Sequence, residues 1–269
     1  MDMRPIGVFD SGVGGLTALR ELKKLLPGED YIYFGDTARV PYGIRSRETL
    51  LQFARDDIAL LQAYHPKAIV VACGTLSATV LAQVQTECDI PLFGVVIPAA
   101  AEAAANGGRT IGLIGTEASI RSGAYEREIR ARNTTAQVIS PPCPKIAPLV
   151  ESGRFQPEDA EVRAAAEEYL LPLKARGVES LVLGCTHYPL LEEVIGRTMG
   201  PRVKLIDTGA VCARAAVKAL TDQGLLADRE TGSSRYLTSG DPDTFRRLAP
   251  IFLRGEPVET VELKTAGKG

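Results

Sequence analysis

Ile69-Val70-Val71-Ala72-Cys73-Gly74-Thr75 and Leu181-Val182-Leu183-Gly184-Cys185-Thr186 are two versions of one phrase, an apolar run that stops at a cysteine. A continuous, largely β-branched run of this length reads as a strand buried on both faces, and such strands belong to parallel sheets covered by helices. A second pair stands upstream in the same order: Ile6-Gly7-Val8-Phe9-Asp10-Ser11 is echoed by Ile111-Gly112-Leu113-Ile114-Gly115-Thr116. The spacing is similar, 105 residues for the first pair (positions 6 and 111) and 112 for the second (73 and 185). After each cysteine comes one more strand, ending at Val96 and at Asp207. Three matched pairs in one order point to a duplicated α/β unit.

Working outward, strands are expected at Ile6–Phe9, Tyr31–Phe34, Ala68–Ala72, Leu92–Val96, Thr110–Ile114, Gln137–Ser140, Ser180–Leu183 and Val203–Ile206. Helices are expected between them, among others at Thr17–Leu26, Ser46–Tyr64 and Pro157–Arg176. The last carries Glu158, Asp159 and Glu161 near its start and Lys174 and Arg176 near its end, as the helix dipole favours. The fold class is therefore α/β, with two pseudo-symmetric lobes, mainly parallel sheets and the site in the cleft between them. Residues 1–97 with 209–269 are expected to form the lobe carrying Cys73, and residues 98–208 the lobe carrying Cys185. A helix at Val211–Leu220 and a strand at Tyr236–Ser239 fall outside the repeat and are expected to pack back on the first lobe.

Composition narrows the class. With 31 Lys and Arg against 33 Asp and Glu, the net charge of −2 offers no basic face for nucleic acid. No apolar run approaches the 18 or so residues of a membrane helix, and no secretory leader is expected from Met1 to Asp10. Five cysteines are scattered at 73, 88, 143, 185 and 212 without a C-x-x-C pair. Neither a disulfide framework nor a zinc site is indicated, so reduced thiols and a cytoplasmic setting are expected.

In open parallel sheets the ligand crevice lies beyond the carboxyl ends of the strands. Asp10-Ser11, Cys73-Gly74-Thr75, Gly115-Thr116 and Cys185-Thr186-His187 all fall there. Cys88, Cys143 and Cys212 have no motif around them and read as small buried hydrophobes. Cys73 and Cys185 are different, since matched placement at strand ends is hard to explain by packing. Their chemistry is not a phosphatase loop, because the sixth residue after each is Thr79 and Leu191 rather than arginine. A cysteine–histidine hydrolase stays open: whether Cys185 and His187 face one another depends on the local backbone. The glycine-rich Asp10-Ser11-Gly12-Val13-Gly14-Gly15-Leu16-Thr17 lacks the P-loop lysine and reads as a tight turn that lets backbone approach a small anion. His65 reads as a loop residue.

At this point a resemblance enters. The stretches from Ile6 to Thr17, from Tyr33 to Gly43 (Tyr33-Phe34-Gly35-Asp36-Thr37-Ala38-Arg39-Val40-Pro41-Tyr42-Gly43) and from Leu183 to Leu191 resemble the glutamate racemases of the aspartate/glutamate racemase family. Pro148-Leu149-Val150-Glu151-Ser152-Gly153 and Ile206-Asp207-Thr208-Gly209 match in order as well, so the similarity spans nearly the whole chain. The resemblance implies glutamate as substrate, no pyridoxal phosphate, no metal and no other cofactor, and a homodimer. It makes Cys73 and Cys185 the proton-transfer residues, with Asp10 assisting the first and Glu151 and His187 the second. It places substrate on Asp10, Ser11, Pro41, Tyr42, Gly43, Gly74, Thr75, Thr116, Thr186 and His187. One position departs: the family commonly has asparagine where this chain has Gly74, so a backbone N–H or a water is expected to replace the side-chain amide. The implied reaction is L- to D-glutamate conversion that supplies peptidoglycan. The rivals are an aspartate racemase, a one-cysteine hydrolase or decarboxylase, and a two-lobed amino-acid sensor.

Overall fold

The computed structural model describes residues 1–106 and 108–267. Each apolar run read as a strand forms one: β1 Ile6–Asp10, β2 Tyr31–Gly35, β3 Ala68–Val71, β4 Leu92–Gly94, β5 Thr110–Ile114, β6 Gln137–Ile139, β7 Ser180–Leu183 and β8 Lys204–Asp207. Two more follow, β9 Ser234–Thr238 and β10 Val261–Leu263. They build a six-stranded sheet ordered β10-β9-β2-β1-β3-β4 and a four-stranded sheet ordered β6-β5-β7-β8. Every paired strand in both sheets runs parallel. The inner order β2-β1-β3-β4 is the order β6-β5-β7-β8 of the other sheet, so the repeat in sequence is a repeat in topology.

Some boundaries differ from the expected ones, each for a local reason. The run Leu92–Val96 stops being a strand at Gly94, and a helix spans Val96–Ala105. Its alanine-rich sequence favours helix, and Ser77 Oγ accepts from the Val95 N–H at 3.3 Å where the strand would otherwise continue. The helix expected at Pro157–Arg176 spans Ala160–Ala175 because Asp159 caps it, accepting from the N–H groups of Glu161 (2.9 Å) and Val162 (3.3 Å). The helix expected from Val211 begins at Thr208, capped by Asp207, whose Oδ1 accepts from Gly209 and Ala210 at 2.8 and 3.1 Å.

The carboxy-terminal region returns to the first sheet, as expected: β9 pairs with β2 and β10 with β9. The helix Thr208–Asp222 joins the two halves, packing on the helix Leu16–Leu25 of one and the helix Val96–Ala105 of the other. One apolar cluster therefore runs through both sheets, from Val8, Leu19 and Val70 to Leu181, Leu183 and Cys212.

Leu19 is fully buried in that shared cluster. Its truncation removes buried methyl groups and leaves a void, so Leu19→Ala is expected to lower unfolding free energy by about 2–5 kcal/mol in urea titration. A loss below about 1 kcal/mol would mean the cluster can collapse around the gap.

Candidate functional site

Parallel pairing brings the carboxyl ends of the central strands to one place. Asp10 ends β1, Cys73 lies two residues past β3, Thr116 two past β5 and Cys185 two past β7. A cavity of about 60 Å³ lies where these ends meet. Both cysteines line it, together with Asp10, His187 and Glu151. Ser11, Thr75, Thr116 and Thr186 supply hydroxyls to its wall, and Pro41, Tyr42, Gly43 and Gly74 supply backbone and ring. Every residue singled out as a site candidate is thus gathered in one cavity. Val40, Ala147 and Gly184 line it too and were not foreseen. Ala147 sits one helical turn before Glu151 on the helix Ile146–Glu151, a position that only the fold reveals.

A larger groove of about 980 Å³ runs alongside, between residues 44–50 and 118–128, and no cysteine lines it. Size does not identify the reactive site here; the convergence of ionisable groups does.

The two thiols have unlike surroundings. Cys73 is 3% exposed and donates to Ser11 Oγ at 3.7 Å. Burial, then the neighbouring charge of Asp10, pushes its pKa up to about 12, against weaker opposing help from the Leu76 N–H and Ser11. Asp10 accepts from the Gly15 N–H at 2.9 Å and the Gly12 N–H at 3.3 Å, while its other oxygen is buried without a partner. Burial raises the Asp10 pKa, and the charge of His187 and the loop N–H groups offset this only in part.

Cys185, 7% exposed, has His187 Nδ1 at 3.4 Å from its sulfur. The backbone after β7 turns so that the two side chains do face one another. Nε2 on the far side of the ring is 3.2 Å from Glu151 Oε1, close in distance but off the line of a hydrogen bond, so charge rather than direction holds that pair. Burial alone would lower the His187 pKa; Cys185 and then Glu151 outweigh it, and the net shift is well upward. The edge of the ring packs against Phe252, with centroids 5.7 Å apart.

The stretch from Asp36 to Tyr42 rests on a polar network that sequence reasoning did not assemble. Arg39 donates to Asp36, to Asp56 Oδ2 at 2.8 Å and to Asp57 Oδ1 at 2.6 Å. The Tyr42 hydroxyl donates to Asp36 and, at 3.3 Å, to Asp57. Asp57, on the helix Arg47–Gln62, has its pKa raised well above the carboxylate range by burial and then by Asp36. Asp36 and Arg39 stood in a quoted motif, but the partner Asp57 was hidden in a charged helical stretch.

The cysteines and histidine not read as site residues lie elsewhere, and Cys88 is less buried than expected. Cys143 and Cys212 are buried thiols whose pKa burial raises to about 12, Cys88 is partly exposed, and all five cysteines are free. His65 is an exposed loop residue away from the cavity, at φ 50°. No group of three or more His, Cys, Asp or Glu side chains among the described residues is placed to hold a metal ion, and no described helix is long and apolar enough to cross a membrane.

Two like-ordered parallel sheets, each followed by a thiol at a common cavity, define an α/β protein of duplicated design with paired thiols. The Asp/Glu/Hydantoin racemase family profile matches residues 6–216. A glutamate racemase of Desulforudis audaxviator is 45% identical over 268 residues, covering 96% of this chain and 97% of that protein. The solved structure of glutamate racemase from Francisella tularensis in complex with D-glutamate superposes with a TM-score of 0.92 at 36% identity, over 99% of both chains. That of Thermus thermophilus in complex with β-chloro-D-alanine gives 0.88 at 43% identity, over 98% of both. The chain belongs to the Asp/Glu/Hydantoin racemase family.

Two outcomes follow from this electrostatic layout. Arg39→Ala leaves the fully buried Asp36 and Asp57 without their cation and is expected to cost about 2–4 kcal/mol in urea unfolding. That is the low side for a broken buried pair, because the guanidinium is 20% exposed. For His187 the native pKa lies above its ordinary 6.5, so the native state binds the extra proton. Its stabilisation is full below about 6.5 and is lost as pH rises through the higher native value. The unfolding free-energy gap between wild type and His187→Gln should therefore shrink as pH rises above about 6.5; a widening gap would contradict the upward shift.

Proposed function

We propose that the protein interconverts L- and D-glutamate by proton transfer at Cα, with Cys73 and Cys185 as the two acid/base groups. The observation that carries this is the pair of thiols, one from each copy of the repeat, lining one small cavity. The glutamate racemases named above support glutamate as the substrate, and the D-glutamate bound to the Francisella protein fits that choice.

The chemistry follows from stereochemistry and charge. Inversion removes a proton from one face of Cα and delivers one to the other, and a single fixed base cannot serve both faces. For one direction the scheme uses Cys185, whose sulfur faces His187 Nδ1, as the base and Cys73, whose thiol burial keeps protonated, as the acid. The Cys185 sulfur takes the Cα proton, and Cys73 gives its own proton to the opposite face. The bond pair left on Cα by the first step is the pair that captures the second proton. The enzyme is left with the roles exchanged, ready for the other enantiomer or for reset by solvent. Asp10, with a raised pKa, is placed to serve the Cys73 side, and Glu151 with His187 the Cys185 side.

Positioned proton transfer supplies about 10²–10⁴-fold, so the carbanion needs further stabilisation. Hydroxyls of Ser11, Thr75, Thr116 and Thr186 and the backbone N–H groups of the Gly74 and Gly43 turns are assigned to the substrate carboxylates, whose charge rises as the proton leaves. We assign residues 1–97 with 209–269 to the lobe carrying Cys73 and 98–208 to the lobe carrying Cys185, a division that the two sheets support. Family resemblance extends the proposal to a cytoplasmic homodimer whose D-glutamate supplies peptidoglycan.

Purified protein given L-glutamate alone, followed by circular dichroism, should drive the signal to zero as the racemate forms, and in D₂O the product should carry deuterium at Cα. Cys73→Ala and Cys185→Ala should each abolish inversion. Full activity in either variant would end the two-base scheme. Inversion of aspartate in place of glutamate would reassign the substrate, and binding without inversion would mark a sensor.

A further inference from the structure

The two cysteine loops touch through a glycine. A Cβ placed on Gly74 would stand 2.3 Å from the Gly184 carbonyl oxygen, far inside the roughly 3.5–4 Å of an ordinary contact. Gly74 directly follows Cys73 and Gly184 directly precedes Cys185. The contact is therefore one residue from each sulfur-bearing position, and neither backbone can move without moving its thiol. Neither is free to retreat. The Gly184 N–H donates to the Ile114 carbonyl at 2.8 Å on β5, and the Cys73 carbonyl accepts from the Ser77 N–H at 3.0 Å in the helix Gly74–Thr79. Gly184 is itself backed against β5, where a Cβ would meet the Ile114 carbonyl oxygen at 2.7 Å.

Two further first-half glycines abut second-half residues in the same way. A Cβ on Gly14 would lie 2.3 Å from Thr186 Oγ1, and one on Gly43 would lie 2.9 Å from Thr116 Cβ. Polar contacts cross the same seam: Thr17 Oγ1 donates to the Thr186 carbonyl at 3.2 Å, and the Thr75 and Thr116 hydroxyls are 3.0 Å apart. The three clashes differ in kind. At position 43 a threonine side chain can turn aside and at 14 the obstacles are the side chains of Thr186 and, at 2.9 Å, His187, whereas the obstacle at 74 is backbone held by a sheet.

We infer that Gly74 is a positioning residue for the reaction: by presenting no side chain to the Gly184 carbonyl, it sets the separation of the two sulfurs across the substrate. The inference rests on the glutamate racemase assignment and deepens it. Relieving a 2.3 Å contact requires about 1 Å of movement. A misplacement of that size at a reacting centre lowers rate on the order of 10²-fold. A thiol drawn away from Cα can no longer deliver its proton in step with its partner. The abstracting cysteine, which exchanges with solvent, then returns a deuteron to the face it came from.

The test compares loss of the Cα proton, by NMR in D₂O, with inversion, by circular dichroism, for wild type and Gly74→Ala on glutamate. In wild type each exchange should accompany inversion. In Gly74→Ala inversion should fall on the order of 10²-fold, chiefly in kcat, with exchange falling less, so that deuterated glutamate of retained configuration accumulates. Thermal unfolding checks that the variant is folded. Should it not fold, Gly43→Ala is the milder wedge across the same seam and should show the same retained exchange with a smaller fall. Wild-type inversion matched by Gly74→Ala or, failing that, by Gly43→Ala, without retained exchange, overturns the spacing role alone. Absence of inversion in wild type overturns the racemase assignment and the spacing role with it.

Discussion

A thiolate in a dry cavity is opposed by its own burial, and every other feature of this site bears on that conflict. Both sulfurs are nearly sealed from solvent, where an isolated charge is heavily penalised. The structure answers differently on the two sides. Beside Cys185 it places a histidine whose pKa the sulfur and then Glu151 raise against its burial. Beside Cys73 it adds to burial a carboxyl group that further raises the thiol pKa. A duplicated scaffold thus gives its two thiols unequal neighbours, which is the asymmetry the proposed two-base reaction calls on.

The scaffold serves this asymmetry by being symmetric. Parallel pairing gathers the carboxyl ends of each sheet along one edge, and equal strand order puts the loop after β3 and the loop after β7 in matching positions. The helix Thr208–Asp222 then joins the halves through one apolar cluster. Packing at interior density makes such a junction stiff, which holds the two thiols, carried by different sheets, at a set separation.

Much of this was legible in the chain because period and repetition are properties of sequence. The apolar runs fixed eight strands, the echo of Ile6–Ser11 in Ile111–Thr116 fixed their grouping, and the resemblance assembled the cavity wall residue by residue. What stayed hidden depends on the third dimension. The strand β10 is short, with Leu263 on the outside, so no alternation marks it. Asp57 looks like a surface charge among Arg55-Asp56-Asp57 until helix phase turns it inward toward Arg39. The pairing of Cys185 with His187 depended on a bend after β7 that spacing alone left undetermined. Gly74 was read as a missing amide, because a sequence reports the side chain that is absent and says nothing of the carbonyl that occupies its place.

The exposure of Glu151 carries a last consequence. Of the six ionisable side chains lining the cavity, Asp10, Tyr42, Cys73, Cys185 and His187 are buried, and only Glu151 is substantially exposed, at 40%. Mobile ions screen charges they can surround, over about 8–10 Å at physiological ionic strength, and hardly reach groups enclosed by protein. Dissolved salt therefore acts on the proton balance of the Cys185 half through Glu151 and leaves the Asp10–Cys73 half to the fixed field of the protein.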